Sequence, residues 1–154
     1  MKKICVLTDL DYTIYTDGAC LGNPGPGGWA AIIYNNNSGE EKKIVGSDLK
    51  TTNNRMELIA VIKALEALPP KCSLRIYTDS KYVINGMSSW IFNWKKHNWL
   101  GASKKPIKNK DLWIILDKLC DSFSVNWKWV KGHSGDKNND AVDEMARGEA
   151  IKLN

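Results

Sequence analysis

The chain has 154 residues and a mass of 17.3 kDa, the size of one ordinary domain that can fold without disulfide or metal staples. Hydrophobic residues at 43% and charged residues at 25% exclude a disordered chain, and no apolar run is long enough to span a bilayer. Lysine and arginine exceed aspartate and glutamate by 22 to 17, a net charge of +5 whose placement is more telling than its size. Residues 12–17 read as a short strand ended by Gly18, and the turn-rich stretch 22–28 forces a reversal. A second strand at 29–34 and a loose hairpin at 35–39 lead to a third strand at 42–46, completing an antiparallel meander. The period then changes. Leu58, Val61, Ile62, Leu65 and Leu68 fall on one face of a helix, with Thr52 or Asn53 to cap it and Pro69-Pro70 to stop it. A fourth strand at 74–78 runs into Asp79-Ser80, a capping pair for a short helix through 83–87. A further helix is predicted at 90–97, then a Gly/Lys/Pro loop at 101–108. Leu112, Ile115, Leu116 and Leu119 mark another helix, with Asn109 near its start. Strand 124–130, polar loop 132–139 and helix 141–151 finish the chain. Counting the two short helices after the fourth strand as one, the order βββαβααβα predicts an α/β fold, a five-stranded mixed sheet flanked by helices.

Between Lys81 and Lys110 there are seven lysines and neither aspartate nor glutamate, and the same segment holds Trp90, Trp94 and Trp99. The remainder of the chain is slightly acidic, so one face points to a polyanionic partner. The cysteines, Cys5, Cys20, Cys72 and Cys120, form no C-x-x-C pair and read as free thiols of a reducing compartment. Lys2 and Lys3 are followed too soon by Asp9 and Asp11 for a signal-peptide core, which places the expected location in the cytoplasm. No seam for a dimer is visible, so a monomer without a membrane or obligate protein partner is expected.

Four carboxylates stand out by position. Asp17 sits in or at the end of a strand, and Asp79 ends another, where ligands gather in α/β sheets. Glu57 and Asp143 lie at the margins of the apolar faces of their helices. Converging without matching cations, these groups would repel one another, and a divalent metal resolves that conflict. An all-oxygen set suits Mg²⁺ or Mn²⁺ rather than zinc.

The runs TDGACLGNPGPGG at 16–28, TTNNRMEL at 51–58, YTDSKYV at 77–83, WVKGHSG at 129–135 and DEMAR at 143–147 occur in series. With Trp90, NWKK at 93–96, Trp99 and KKP at 104–106, they resemble type 1 ribonuclease H of the bacterial HI class over residues 12–151. The resemblance implies a ribonuclease H-like fold in one catalytic domain, 1–154, with an N-terminal extension at 1–11 and a basic protrusion at 81–110. It implies metal ligation by Asp17, Glu57, Asp79 and Asp143, with His133 as a loop histidine that moves protons or aids product release. Asp143 is preferred over Asp140 and Glu144 because the DEMAR frame places the fourth ligand there. Cys20, Asn23, Asn53 and Asn54 correspond to groups that touch the RNA strand in the minor groove. Thr52 and Asn109 correspond to a DNA-phosphate pocket, Trp90 and Trp94 to an aromatic platform, and Lys95 and Lys96 to phosphate contacts. The implied activity is endonucleolytic cleavage of the RNA strand of RNA/DNA hybrids, with little sequence specificity. Two Mg²⁺ ions at ~3.5–4 Å, replaceable by Mn²⁺, would leave 5′-phosphate and 3′-hydroxyl ends.

The chain departs from the family pattern in its longer start and at Lys81 and His97, where Gln and Arg are more usual. Residues 4–13 are also similar to the D-x-D-x-T motif of haloacid-dehalogenase-type phosphatases, with Asp9 as nucleophile, but the βββ opening contradicts that fold. A hybrid- or duplex-RNA-binding module without turnover would use the same basic segment, but all four carboxylates are present. A Mg²⁺-dependent exonuclease would use the same carboxylates, but the basic tryptophan segment fits internal cleavage better.

Overall fold

The central strand explains the rest of the architecture. In the computed structural model, which describes residues 10–154, β1 (Tyr12–Cys20) pairs antiparallel with β2 (Gly25–Asn35) and parallel with β4 (Ser73–Thr78). β3 (Glu41–Thr51) lies antiparallel outside β2, and β5 (Ser124–Trp129) parallel outside β4, giving the order β3-β2-β1-β4-β5. A central strand buries both faces, so β1 carries small and apolar residues on each side. Ile14 packs into the larger core with Leu58, Leu65, Ile76, Trp113 and Leu116, beneath α1 (Asn53–Glu66) and α4 (Lys110–Cys120). Ala19 packs on the opposite face with Ala30, Ile32, Val142 and Ala146, beneath α5 (Lys137–Lys152).

Two glycines set how closely the helices approach. A Cβ on Gly18 would stand 2.5 Å from the backbone nitrogen of Glu57, so only glycine lets α1 lie against β1 at this point. On the other face a Cβ on Gly28 would stand 2.2 Å from the carbonyl of Ala146 in α5. Gly18→Ala is therefore expected to push α1 outward and destabilise the fold by about 1–3 kcal/mol or more, read by denaturant unfolding. An unchanged midpoint would show that α1 accommodates the methyl group.

The meander stands as predicted and the α1 stripe does so through Leu65, but the helix ends at Glu66 and Leu68 falls beyond it; Thr52 is the cap of α1, accepting from the Arg55 amide at 3.3 Å. Several boundaries differ. β1 does not end at Gly18 but runs on to Cys20, because its pairing with β2 continues through Gly18 with Trp29. β2 begins at Gly25, inside the stretch read as a turn, because glycines there can still pair: Cys20 faces Gly27 and Ala19 faces Gly28. β3 continues to Thr51 because the pairing follows β2 past the apolar residues, Gly28 meeting Ser47 and Gly27 meeting Asp48. α5 starts at Lys137 rather than 141, since Asp136 caps it by accepting from the Asn139 amide at 2.9 Å.

The two short helices read after β4 form one broken helix. α2 (Lys81–Asn85) passes through a π turn at Gly86–Trp90 into α3 (Ile91–Lys96), which preserves the order βββαβααβα. A Cβ on Gly86 would stand 2.0 Å from the Trp113 ring, so the backbone bulges where that ring enters the core. Cys20, Cys72 and Cys120 are free thiols, as expected; Cys5, Asp9 and most of the N-terminal extension lie outside the described residues. Asp11 accepts from the backbone amide of Ser73 at 3.0 Å, a structural bond beside β4.

Candidate active site

Asp17 lies within β1 opposite Ala30, just beyond Tyr15, the last residue of β1 paired with β4. Past that point the two parallel strands separate, and Asp79 is the first residue after β4. The sheet changes from parallel to antiparallel pairing across β1, so this crevice is the place where α/β sheets collect ligands. Glu57 enters from the first turns of α1, brought beside β1 by Gly18. Asp17, Glu57 and Asp79 each offer an oxygen, all within 4.8 Å of one another.

Such a cluster opposes its own ionisation. Asp17 is 2% exposed and Glu57 4%. Burial, then the charge of Asp79, pushes the Asp17 carboxyl up to about 8. Burial and the Asp17 charge raise Glu57 well above the usual carboxylate range, and burial raises Asp79. Glu57 Oε1 is buried without a hydrogen-bond partner. A buried acceptor left bare is costly unless something positive meets it. The loop after β5 lies against this cluster: a Cβ on Gly132 would stand 2.8 Å from Asp79 Oδ2.

Asp143 lines the same cleft from α5 but sits at its rim. The expectation of four carboxylates without cations is corrected here: Arg147, one helical turn on, places a guanidinium nitrogen 3.3 Å from Asp143 Oδ2. His133 Nδ1 lies 3.9 Å from the same oxygen, on a side chain 75% exposed in the loop before α5.

The cleft, about 570 Å³, is walled by Cys20, Asn53 and Asn54 on one side and Lys81 and Tyr82 on the other. Asn23 Oδ1 accepts from the Asn53 amide at 3.0 Å, which ties the β1–β2 turn to the start of α1. The Cys20 thiol donates to the Gly25 and Thr51 carbonyls at 3.4 and 3.3 Å. Thr52 and Asn109 meet at the α1–α4 corner through Arg55. Its guanidinium donates to Asn109 Oδ1 at 3.2 Å and to both oxygens of Asp111 at 3.0 and 2.8 Å. Asn109 stands at the start of α4 in a left-handed conformation, its amide donating to the Tyr82 hydroxyl at 3.1 Å rather than capping the helix.

In the basic segment the tryptophans divide their roles. Trp90 is 39% exposed, whereas Trp94 packs against the core, its ring centroid 5.1 Å from that of Trp113. Lys95 pairs with Asp117 of α4 at 3.3 Å, and Lys96, Lys104 and Lys105 are exposed. The loop beyond α3 is fastened by the Trp99 amide to the Trp94 carbonyl at 2.7 Å and by the Ile107 amide to the Trp99 carbonyl at 3.0 Å.

The RNase H family profile matches residues 9–151. The chain belongs to the ribonuclease H family. It is 58% identical over 139 residues to a Ribonuclease H of Francisella tularensis subsp. novicida, a match covering 90% of each chain. A counterpart from Francisella philomiragia is 57% identical over the same length and shares. Among solved structures, LC9-RNase H1, described as a type 1 RNase H with the type 2 active-site motif, superposes with a TM-score of 0.84 at 29% identity. That match covers 97% of this chain and 76% of the other. LC11-RNase H1, solved in complex with an RNA/DNA hybrid, has the same fold at TM-score 0.71 and 21% identity, covering 92% and 97%.

Against that family background, three residues around the site had no role in the sequence reading. Arg55 and Arg147 lie inside the TTNNRMEL and DEMAR runs, but a motif gives no contact, and their partners Asp111 and Asp143 are 56 and 4 residues away. Trp129 ends β5 with its indole donating to the Asp79 carbonyl at 3.0 Å, a bond that depends on β4 and β5 pairing in register. No helix among the described residues is long and apolar enough to cross a membrane.

Proposed function

We propose that the protein is an endonuclease that hydrolyses the RNA strand of RNA/DNA hybrids, with Asp17, Glu57, Asp79 and Asp143 holding two Mg²⁺ ions. The observation that carries this reading is the triad of buried carboxylates within 4.8 Å, one of them with a bare oxygen. The donor set is all oxygen, which fits Mg²⁺ or Mn²⁺. When bound, such ions supply Lewis-acid stabilisation of the phosphate and lower the pKa of water.

The protein's own groups do the remainder. The β1 and α1 backbones fix Asp17 and Glu57, so the ligand geometry is set before substrate arrives. Asn53, Asn54 and Cys20 at the cleft wall, with Asn23 bonded to the Asn53 amide, offer polar groups to meet sugar 2′-hydroxyls and base edges without reading sequence. Thr52 and Asn109, joined through Arg55, sit as a polar corner for the DNA backbone. Trp90 offers an open ring face, and Lys95, Lys96, Lys104 and Lys105 neutralise phosphates. The Francisella relatives named Ribonuclease H and the hybrid bound to LC11-RNase H1 support this choice of substrate. The expected products carry 5′-phosphate and 3′-hydroxyl ends, and the single domain acts as a monomer in the cytoplasm.

His133 is proposed to carry a proton. Its imidazole stands 3.9 Å from Asp143 and remains open to solvent, so it can exchange a proton between the cleft and bulk water. His133→Ala is expected to lower kcat by roughly 10–100-fold, at or below the low end for a positioned acid–base group because water can substitute. An unchanged pH profile of kcat between pH 6 and 9 would remove His133 from the reaction.

Digestion of a hybrid with body-labelled RNA tests the whole reading. Internal fragments are expected. Mononucleotides would mean an exonuclease, and an intact strand would mean a binding protein.

A further inference from the structure

Trp129 is a large aromatic residue left 44% exposed, yet it is held on two sides. Its Nε1–H donates to the main-chain carbonyl of Asp79 at 3.0 Å. Over its face lies the Lys81 ammonium, 4.8 Å from the ring centroid, a cation–π contact between the start of α2 and the end of β5. Trp129 itself is placed by β pairing, opposite Thr78, with the Val130 amide donating to the Thr78 carbonyl at 2.9 Å.

Asp79 needs such support. It is the residue at which the chain leaves β4, before Ser80 caps α2 by accepting from the Val83 amide at 3.1 Å. Its carbonyl lies beyond the β4–β5 pairing, whose last pair is Thr78 with Trp129. The indole supplies the missing donor from the side chain, and Gly132 lies against the carboxylate. The end of β5 therefore holds the Asp79 backbone, and the loop that follows passes close to its carboxylate.

We infer that Trp129 is a positioning residue for Asp79: the indole N–H, steadied by Lys81, fixes the backbone from which that carboxylate meets a divalent ion. The inference rests on the metal-site reading above. Groups that orient a ligand from behind commonly change metal affinity by ~10–100-fold when removed. The bond here is to the ligand's backbone, so the smaller end is expected.

The test is isothermal titration of Mg²⁺ into the substrate-free protein and into Trp129→Phe, which keeps an aromatic ring and deletes the donor. Trp129→Phe should bind Mg²⁺ about tenfold more weakly and need correspondingly more Mg²⁺ for half-maximal cleavage. The KM for hybrid, measured at saturating Mg²⁺, should stay within about twofold. If the parent binds no Mg²⁺, the metal-site reading itself fails. If parent and variant bind it equally while only the melting temperature falls, Trp129 is structural and the inference is overturned. A rise in hybrid KM with unchanged Mg²⁺ affinity overturns it too, by moving the ring to the substrate surface. Should Trp129→Phe fail to fold, the ¹⁵N-labelled parent decides. The Trp129 Nε1–H resonance should move on Mg²⁺ saturation, while that of Trp113, bonded to the Tyr82 hydroxyl at 3.0 Å, should not. A stationary Trp129 resonance overturns the inference.

Discussion

Asp17→Asn is expected to reduce cleavage of an RNA/DNA hybrid to background and, in metal-free buffer, to raise the melting temperature. The loss follows from the proposed ligand set: removing one preorganised electrostatic group from an active site already lowers kcat by ~10²–10³-fold, and here the group holds the ions. The gain follows from burial. A carboxyl pushed up to about 8 keeps in the folded state a proton that the unfolded chain releases near its ordinary value of 3.8. Between those two values the native protein binds more protons than the unfolded one, so stability falls as pH rises and the full penalty is present above pH 8. Asparagine cannot ionise. The stabilisation by Asp17→Asn should therefore be absent near pH 4, grow across neutral pH and level off above pH 8. Each 1 kcal/mol regained shifts the midpoint by roughly 2–4 °C in a chain of this size. Thermal melts in chelator at several pH values, beside a cleavage assay, check both halves. A variant that cuts near the parental rate in Mg²⁺ contradicts the site, and a gain that does not depend on pH contradicts the electrostatic account.

The site's outline was legible because strand ends and helix margins are visible in sequence. Asp17 and Asp79 followed β-prone runs, and Glu57 stood beside Leu58 on a stripe of unmistakable period. What brings them together was not legible. Gly18 reads as a strand terminator, whereas its lack of a side chain is what admits α1 and Glu57. The glycines of 25–28 look like a turn because they lack β propensity, yet pairing with β1 holds them in β2. The start of α5, Lys137-Asn138-Asn139, has no apolar residue to show a period, and its cap Asp136 is one polar residue among many. Pairings between separate elements, Arg55 with Asp111 and Trp129 with Asp79, leave no local trace at all.

The second large effect concerns the basic segment. Replacing Lys95, Lys96, Lys104 and Lys105 together by alanine should raise KM about tenfold or more at roughly physiological salt while leaving kcat at saturation almost unchanged. Lysines act here by releasing counterions from the hybrid, so affinity should fall linearly in log salt for the parent. Each lost phosphate contact should flatten that slope by roughly one. Lys95 is already paired with Asp117 at 3.3 Å, so its share should be the smallest. Trp94→Ala separates binding from folding. Because Trp94 packs on Trp113 and the core, its truncation should lower stability, toward the lower end of the ~3–5 kcal/mol seen for fully buried aromatics. Trp90→Ala, at the exposed ring, should instead weaken hybrid binding with little dependence on salt, by ~1–3 kcal/mol on the stacking scale. A four-lysine variant with parental KM and salt slope would return this segment to an ordinary solvated face.

The buried carboxylates are proposed to form a divalent-ion site for cutting RNA within a hybrid. Its most direct test uses one hybrid prepared twice, with the label on the RNA strand or on the DNA strand, and protein freed of metal by a chelator. Without added ions, neither strand should be cut. On addition of Mg²⁺ the RNA strand alone should be cut by the parent, leaving 5′-phosphate ends, and Asp17→Asn should leave both strands intact. Cleavage in chelator, or equal cleavage of the DNA strand, would rule out a metal-dependent, RNA-strand-specific site.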